Sequence, residues 1–284
     1  MKMIEQLEQL RIATQLAKQL GRVAFVPTMG NLHDGHLTLM REARKHAQTV
    51  ICSIFINPMQ FGANEDLDKY PRALDADIAA LESVGVDLLY FPSIDTMYPK
   101  PLSDQTKVEV PVISDLYCGA SRPGHFVGVA TVVAKLFNMV QPDVALFGTK
   151  DFQQLAVIRR MVTDLAMPIE IIGVPTVRNA DGLAMSSRNQ YLTSEQRAIA
   201  PMIYAELKQL SETLSQDLSQ LEQQSADSQR RLAEAGFEPD YLHVLDAETL
   251  LPLTDQSQHG VILIAAKLGA ARLIDNIEFT CAPK

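Results

Sequence analysis

The stretch VAFVPTMGNLHDGHLTLMREA, residues 23–43, decides how the rest of the chain is read. Residues 23–26 form a short apolar, β-branched run, the pattern of a strand covered on both faces. Pro27 marks its end, Met29 and Gly30 make a turn, and an amphipathic helix begins around Gly35. A strand that runs through a glycine turn into a helix opens a strand–helix–strand unit. The helix N-terminus there offers free N–H groups and a partial positive charge, which suits an anion. His33 and His36 lie three residues apart on one helical turn, so their rings point to the same side. Paired imidazoles in that place can donate hydrogen bonds to phosphate oxygens. They could equally cap the helix or hold a metal, but no Cys or acid cluster stands nearby to complete a metal set.

Outward from this unit the same alternation continues. Apolar runs recur at 50–56, 86–91, 144–147 and 169–174, with amphipathic stretches at 36–47, 72–84, 126–140 and 151–166 between them. This predicts an α/β fold: a Rossmann-like, doubly wound parallel sheet with helices on both faces. Its ligand crevice is expected at the carboxyl ends of the strands. An opening helix is expected over about 3–20, with Ile4, Leu7, Leu10, Ala13 and Leu16 at helical spacing and Gly21 as its C-terminal stop. From 176 the texture changes to a polar helical region over 194–235, capped by Thr193 or Ser194 and broken somewhere in 211–228. Strands at 241–245, 261–268 and 271–278 follow. The chain thus reads as a Rossmann-like nucleotide-binding catalytic domain over 1–175. A smaller α+β domain over 176–284 carries the loop Met-Ser-Ser-Arg at 185–188 and closes the site.

The 284 residues are 47% hydrophobic and 21% charged, enough for a sizeable core, and the formal charge is −9. An acidic surface disfavours nucleic acid and anionic membrane as partners. Cys52, Cys118 and Cys281 form no pairing framework, the first 21 residues carry charges throughout, and no run reaches the ~20 apolar residues of a membrane span. A cytoplasmic location is the expectation.

Four further loops carry candidate chemistry, and most follow strands. In 53–62, Gln60 is an amide that both donates and accepts, which suits a hydroxyl-bearing acid, with Asn57 beside it. In 120–129, Arg122 and His125 are candidate anion contacts, and a plain Pro-Gly loop is an equal reading. In 146–155, Lys150 stands at a helix start, where a cation opposes the dipole; that conflict favours a phosphate partner. Gln153 and Gln154 follow, and one of them should face the site. In 183–193, Ser186 and Ser187 precede Arg188, which can hold phosphate with two parallel hydrogen bonds. By their own chemistry these loops suit an acid-activating ligase, a nucleotidyltransferase that stops at the nucleotidyl product, or a nucleotide-sensing protein.

The strings PTMGNLHDGH, SIFINPMQF, YPR, GASRPGHF, GTKDFQQL and DGLAMSSRNQYLT, in that order over 26–193, resemble the pantothenate synthetase family. The first also resembles the wider HxGH nucleotidyltransferases. Thr149 and Met185 depart from the family's usual residues. The resemblance implies an ATP-dependent ligase that joins pantoate to β-alanine through a pantoyl adenylate, releasing AMP and pyrophosphate. It implies ATP binding by Met29, Gly30, Asn31, Leu32, His33, Asp34, Gly35 and His36, by Gly148, Thr149, Lys150 and Asp151, and by Val177, Met185, Ser186, Ser187 and Arg188. It makes His36 the catalytic histidine, with His33, Lys150 and Arg188 assisting. Gln60 would touch both substrates and Gln154 would touch pantoate. Mg2+ and a homodimer are implied as well.

Overall fold

The computed structural model describes residues 1–62, 67 and 70–281. The first series of elements is β1 (Lys2–Ile4), α1 (Leu7–Leu20), β2 (Val23–Thr28), α2 (Asp34–His46), β3 (Thr49–Ile54), α3 (Leu74–Ser83) and β4 (Leu88–Tyr90). It continues with α4 (Ile94–Met97), α5 (Cys118–Ser121), α6 (His125–Val140), β5 (Val144–Gly148), α7 (Phe152–Asp164) and β6 (Glu170–Val174). The second series is α8 (Ser194–Ile199), α9 (Met202–Leu214), α10 (Leu221–Glu234), β7 (Glu238–Asp246), β8 (His259–Leu268) and β9 (Ala271–Thr280). Compactness divides the chain into Met1–Thr149 with Gln154–Pro175, and Lys150–Gln153 with Thr176–Lys284. The single cut after 175 expected from sequence is therefore incomplete. Lys150–Gln153 groups with the C-terminal unit, where the Asn276 side-chain amide donates to the Lys150 carbonyl at 2.8 Å.

The first unit is built on a parallel sheet of order β1-β4-β3-β2-β5-β6. From β2 the chain steps outward to β3 and β4, then returns to the other side at β5. The switch point lies between β2 and β5, where the crevice of an open α/β sheet forms. The continuous apolar reading of these strands holds because both faces are covered. On one face Val26, Met40, Cys52, Leu89 and Leu146 pack together. On the other, Phe25 and Phe147 each meet Phe137 edge-on, with ring centroids 6.4 and 6.3 Å apart. Each fully buried side chain of this size stabilises by about 1.5–3 kcal/mol. Burial also pushes the Cys52 thiol up, which keeps it a neutral core residue.

Two expectations for the N-terminus are corrected, and the reading of Gly21 as the helix stop holds. Lys2–Ile4 is an edge strand paired with β4, not the start of α1. Ile4 is 1% exposed there, and the Phe91 N–H donates to its carbonyl at 2.8 Å. The inward face of α1 is Leu10, Thr14 and Ala17, while Leu16 is 58% exposed. Two helical stripes fit the same spacing, and the one with small residues lets α1 approach α6. Gly21 ends α1 at φ 141, outside the usual left-handed cap. Its missing side chain makes room for Gln48, whose Oε1 accepts from the Arg22 N–H at 2.8 Å.

The second unit lays α9 and α10 on the antiparallel sheet β7-β8-β9, around Leu207, Leu210, Leu232, Ile262, Ile264 and Leu273. Thr193 caps α8 in a reciprocal box with Gln196. The helical break falls between Leu214 and Leu221, at a turn capped by Asp217. Strand β7 starts three residues earlier than the sequence suggested, because it is an edge strand and tolerates Pro239 at a register shift.

One glycine lets α6 approach the backbone of Met59 and Gln60 closely. A Cβ at Gly128 on α6 would come 2.3 Å from the Met59 carbonyl oxygen and 2.7 Å from Gln60 Cα. Both are backbone atoms and cannot swing away. Gly128→Ala is expected to destabilise by roughly 1–3 kcal/mol, the cost of overpacking. Denaturant unfolding of the two proteins measures it, and equal midpoints would contradict this account.

Candidate active site

In the first unit the carboxyl end of β2 leads into a tied turn. Thr28 Oγ1 donates to the Ser53 carbonyl at 2.8 Å and accepts from the Gly30 N–H at 3.3 Å. Gly30 (φ 81) and Asn31 (φ 53) are both left-handed. The Asn31 and Leu32 N–H groups donate to the two oxygens of Asp77, at 2.8 and 2.7 Å. A cavity of about 480 Å³ lies behind this loop, walled by Met29, Ile54, Phe91 and Asp77 among others. Neither His33, His36 nor Gln60 borders it.

His33 is the N-cap of α2, and it forms a reciprocal box with His36. His33 Nδ1 accepts from the Gly35 N–H at 3.1 Å, and His36 Nδ1 accepts from the His33 N–H at 3.3 Å. The ring centroids are 4.1 Å apart. A nitrogen that accepts carries no proton, so each neutral ring holds its hydrogen on Nε2 and donates from there. The expectation of free helix N–H groups is corrected by the same geometry. The N–H groups of His33 and Gly35 are taken by the rings, and those of His36 and Leu37 donate to the His33 carbonyl at 2.8 and 3.1 Å.

Gln60 stands beside this loop, with Nε2 3.0 Å from Met29 Sδ. Its surroundings hold it from two sides. Asn57, 1% exposed, donates from Nδ2 to Gln60 Oε1 at 3.2 Å and to the Gly128 carbonyl at 3.1 Å. Asn57 Oδ1 accepts from the Tyr98 hydroxyl at 2.8 Å and from the Met59 N–H at 3.2 Å. Burial pushes the Tyr98 phenol up, so it remains a donor. All four hydrogen-bonding sites of the Asn57 amide are thereby used inside the protein. Asn57 as a substrate contact is a correction: it positions Gln60. Arg122 and His125 are placed similarly. His125 Nδ1 lies 2.8 Å from the Gln60 carbonyl and its Nε2 lies 3.1 Å from Arg122 Nη1. Gly148 and Thr149 lie at the carboxyl end of β5, the other lip of the switch point, and Gln154 is half-buried on α7.

In the second unit Lys150 is half-buried, with Nζ 4.0 Å from the Asp151 carboxylate. Asp151 belongs to a short 3-10 turn, and α7 starts after it at Phe152. The Met185 N–H donates to the Val177 carbonyl at 2.9 Å, so these two residues close the base of one loop. Ser186 Oγ accepts from the Arg188 N–H at 3.3 Å and starts a 3-10 turn over Ser187–Tyr191. Arg178 anchors this loop with a two-pronged contact to Asp275 at 2.6 and 2.9 Å, its guanidinium 3.5 Å from the Tyr204 ring centre.

Sequence reading missed Asp77, Arg178, Asp275 and Asn276, because each acts on a segment far away in the chain. Arg178 beside a glycine loop was the one visible signal.

The sequence pattern of the family described as pantoate-beta-alanine ligase matches residues 2–278. The chain belongs to the pantoate–β-alanine ligase family. It is 60% identical over 257 residues to the pantothenate synthetase of Shewanella sp. (strain ANA-3), covering 90% of this chain and 91% of that protein. To the one from Pseudomonas putida (strain W619) it is 56% identical over 278 residues, covering 98% and 97%. A pantothenate synthetase structure from Thermus thermophilus matches with a TM-score of 0.86 at 46% identity, covering 98% of this chain and 99% of that one. A Francisella tularensis pantoate-beta-alanine ligase, solved with a β,γ-ATP compound and β-alanine, matches at a TM-score of 0.81 and 34% identity, over 98% of this chain and 97% of that one. The family assignment makes this chain an ATP-using ligase of pantothenate biosynthesis.

The anchor of the second unit generates a prediction. Asp275 has a fully buried side chain, and its removal leaves the Arg178 charge uncompensated. Asp275→Ala should lower the stability of the folded chain by roughly 3–5 kcal/mol. Chemical denaturation reads the loss, and a change below about 1 kcal/mol would show that the pair anchors nothing.

Proposed function

We propose that this chain condenses pantoate with β-alanine through a pantoyl adenylate. The observation that carries the site assignment is the mutual capping of His33 and His36 at the β2 end of the switch point. It turns both rings into Nε2–H donors on a helix end where the N–H groups of His33, Gly35, His36 and Leu37 are already used.

A free carboxylate is a poor electrophile, since attack on it must expel an oxide-like group. In the first step the pantoate carboxylate attacks the α-phosphorus of ATP and pyrophosphate leaves. In the second, the neutral amine of β-alanine attacks the acyl carbon of the mixed anhydride and AMP leaves. Charge grows on the departing phosphate oxygens, so positioned donors and cations accelerate the first step. His33, His36, Lys150, Ser187 and Arg188 are the residues assigned that work. Gln60 and Gln154 hold the hydroxyl-bearing acid. The remaining residues of the loops at 29–36, 148–151, 177 and 185–188 shape the nucleotide site. Magnesium arrives with the triphosphate and counts as part of that substrate. Among the described residues no three His, Cys, Asp or Glu side chains gather as a metal site, which accords with an ion carried chiefly by phosphate and water. A homodimer and a cytoplasmic setting complete the reading. The three free, buried cysteines agree with a reducing compartment, and no described helix is long and apolar enough to cross a membrane.

Incubation with ATP, pantoate and β-alanine should yield AMP and pantothenate. A product that retains the nucleotide, or ATP use independent of the amine, would instead mark a nucleotidyltransferase or a plain hydrolase. His36→Ala should slow adenylate formation by roughly a hundredfold or more, the scale of one lost transition-state donor. A single-turnover rate equal to the parent's would remove His36 from this role.

A further inference from the structure

We infer that Asp77 is a built-in anion that occupies the backbone nest of the nucleotide loop and thereby passes phosphate recognition to the histidine side chains. Two successive left-handed residues, Gly30 and Asn31, turn the next N–H groups to one side. Such a concavity of amides binds anions, and in phosphate loops it holds the phosphate. Here the Asn31 and Leu32 N–H groups each meet one oxygen of Asp77, at 2.8 and 2.7 Å. Asp77 sits in the first turn of α3 and is 4% exposed, with its own N–H donating to the Ala73 carbonyl at 2.9 Å. A Cβ at Gly30 would come 3.0 Å from the same carboxylate, so the loop and the anion fit closely.

The consequences follow from charge and geometry. Asn31 holds a backbone conformation that costs a non-glycine residue about 1–2 kcal/mol, and two charge-assisted hydrogen bonds offset it. With a cavity behind the loop, Asp77 is the group that ties its backbone across to α3. The amides cannot serve a phosphate while the carboxylate holds them. The side-chain donors of this segment include the Nε2–H groups of His33 and His36, whose placement depends on the path of the chain through 30–32. Asp77 is thus a positioning residue for ATP, and this inference rests on the function proposed above.

ATP binding by calorimetry tests it without requiring turnover. Asp77→Asn keeps the shape and loses the charge; Asp77→Ala leaves a hole that formate can fill. Both variants are expected to bind ATP at least tenfold more weakly than the parent, with formate restoring much of the affinity of Asp77→Ala alone. In turnover, KM for ATP should rise while KM for β-alanine stays within twofold. Affinity within twofold of the parent, tighter binding through freed amides, a loss that formate leaves unchanged, or an equal rise in both KM values would each overturn the inference. A parent protein that binds ATP but forms no pantothenate would sink the proposed function instead, leaving the Asp77 role to be judged on affinity.

Discussion

The active-site end of this protein depends on how the first turn of α2 satisfies its own backbone. A helix start leaves several N–H groups without partners, and proteins usually fill them with Ser, Thr or Asp. Here two histidines do it, each ring accepting a backbone hydrogen at Nδ1. One contact therefore does two things. It caps the helix, and it forces the proton of each ring onto Nε2. An Asp cap would also stabilise the helix, but it would add a negative charge at that turn.

In both units buried polar groups hold loops still. Asn57 uses its whole amide to fix Gln60, with Tyr98 kept a donor by burial. Asp77 holds the turn before α2, and Asp275 holds Arg178 at the root of the loop that carries Arg188. Buried polar groups without partners are costly, so each of these is placed where it is fully used. The result is a set of polar side chains whose positions are set by buried residues from other parts of the chain.

Much of this was legible in the chain. The apolar runs at 50–56 and 144–147 read as two-face strands because the sheet is parallel and covered on both sides. The pairing of His33 with His36 and the conflict of Lys150 with its helix end pointed to phosphate. The reading went astray where two solutions share one periodicity, as in the choice between the Leu16 and Ala17 faces of α1. It also failed where a polar residue looked outward in sequence but turned inward in space, as with Asn57.

By itself the sequence determined the alternation of strands and helices and the family the chain belongs to, because these depend on local pattern and residue type. Only the tertiary structure decided which amides are already occupied, which face of α1 is buried, and that Asp77, Tyr98 and Asp275 serve loops dozens of residues away. Hydrogen bonds between distant segments leave no periodic trace in a chain; they exist once folding has brought the two ends of each bond within about 3 Å.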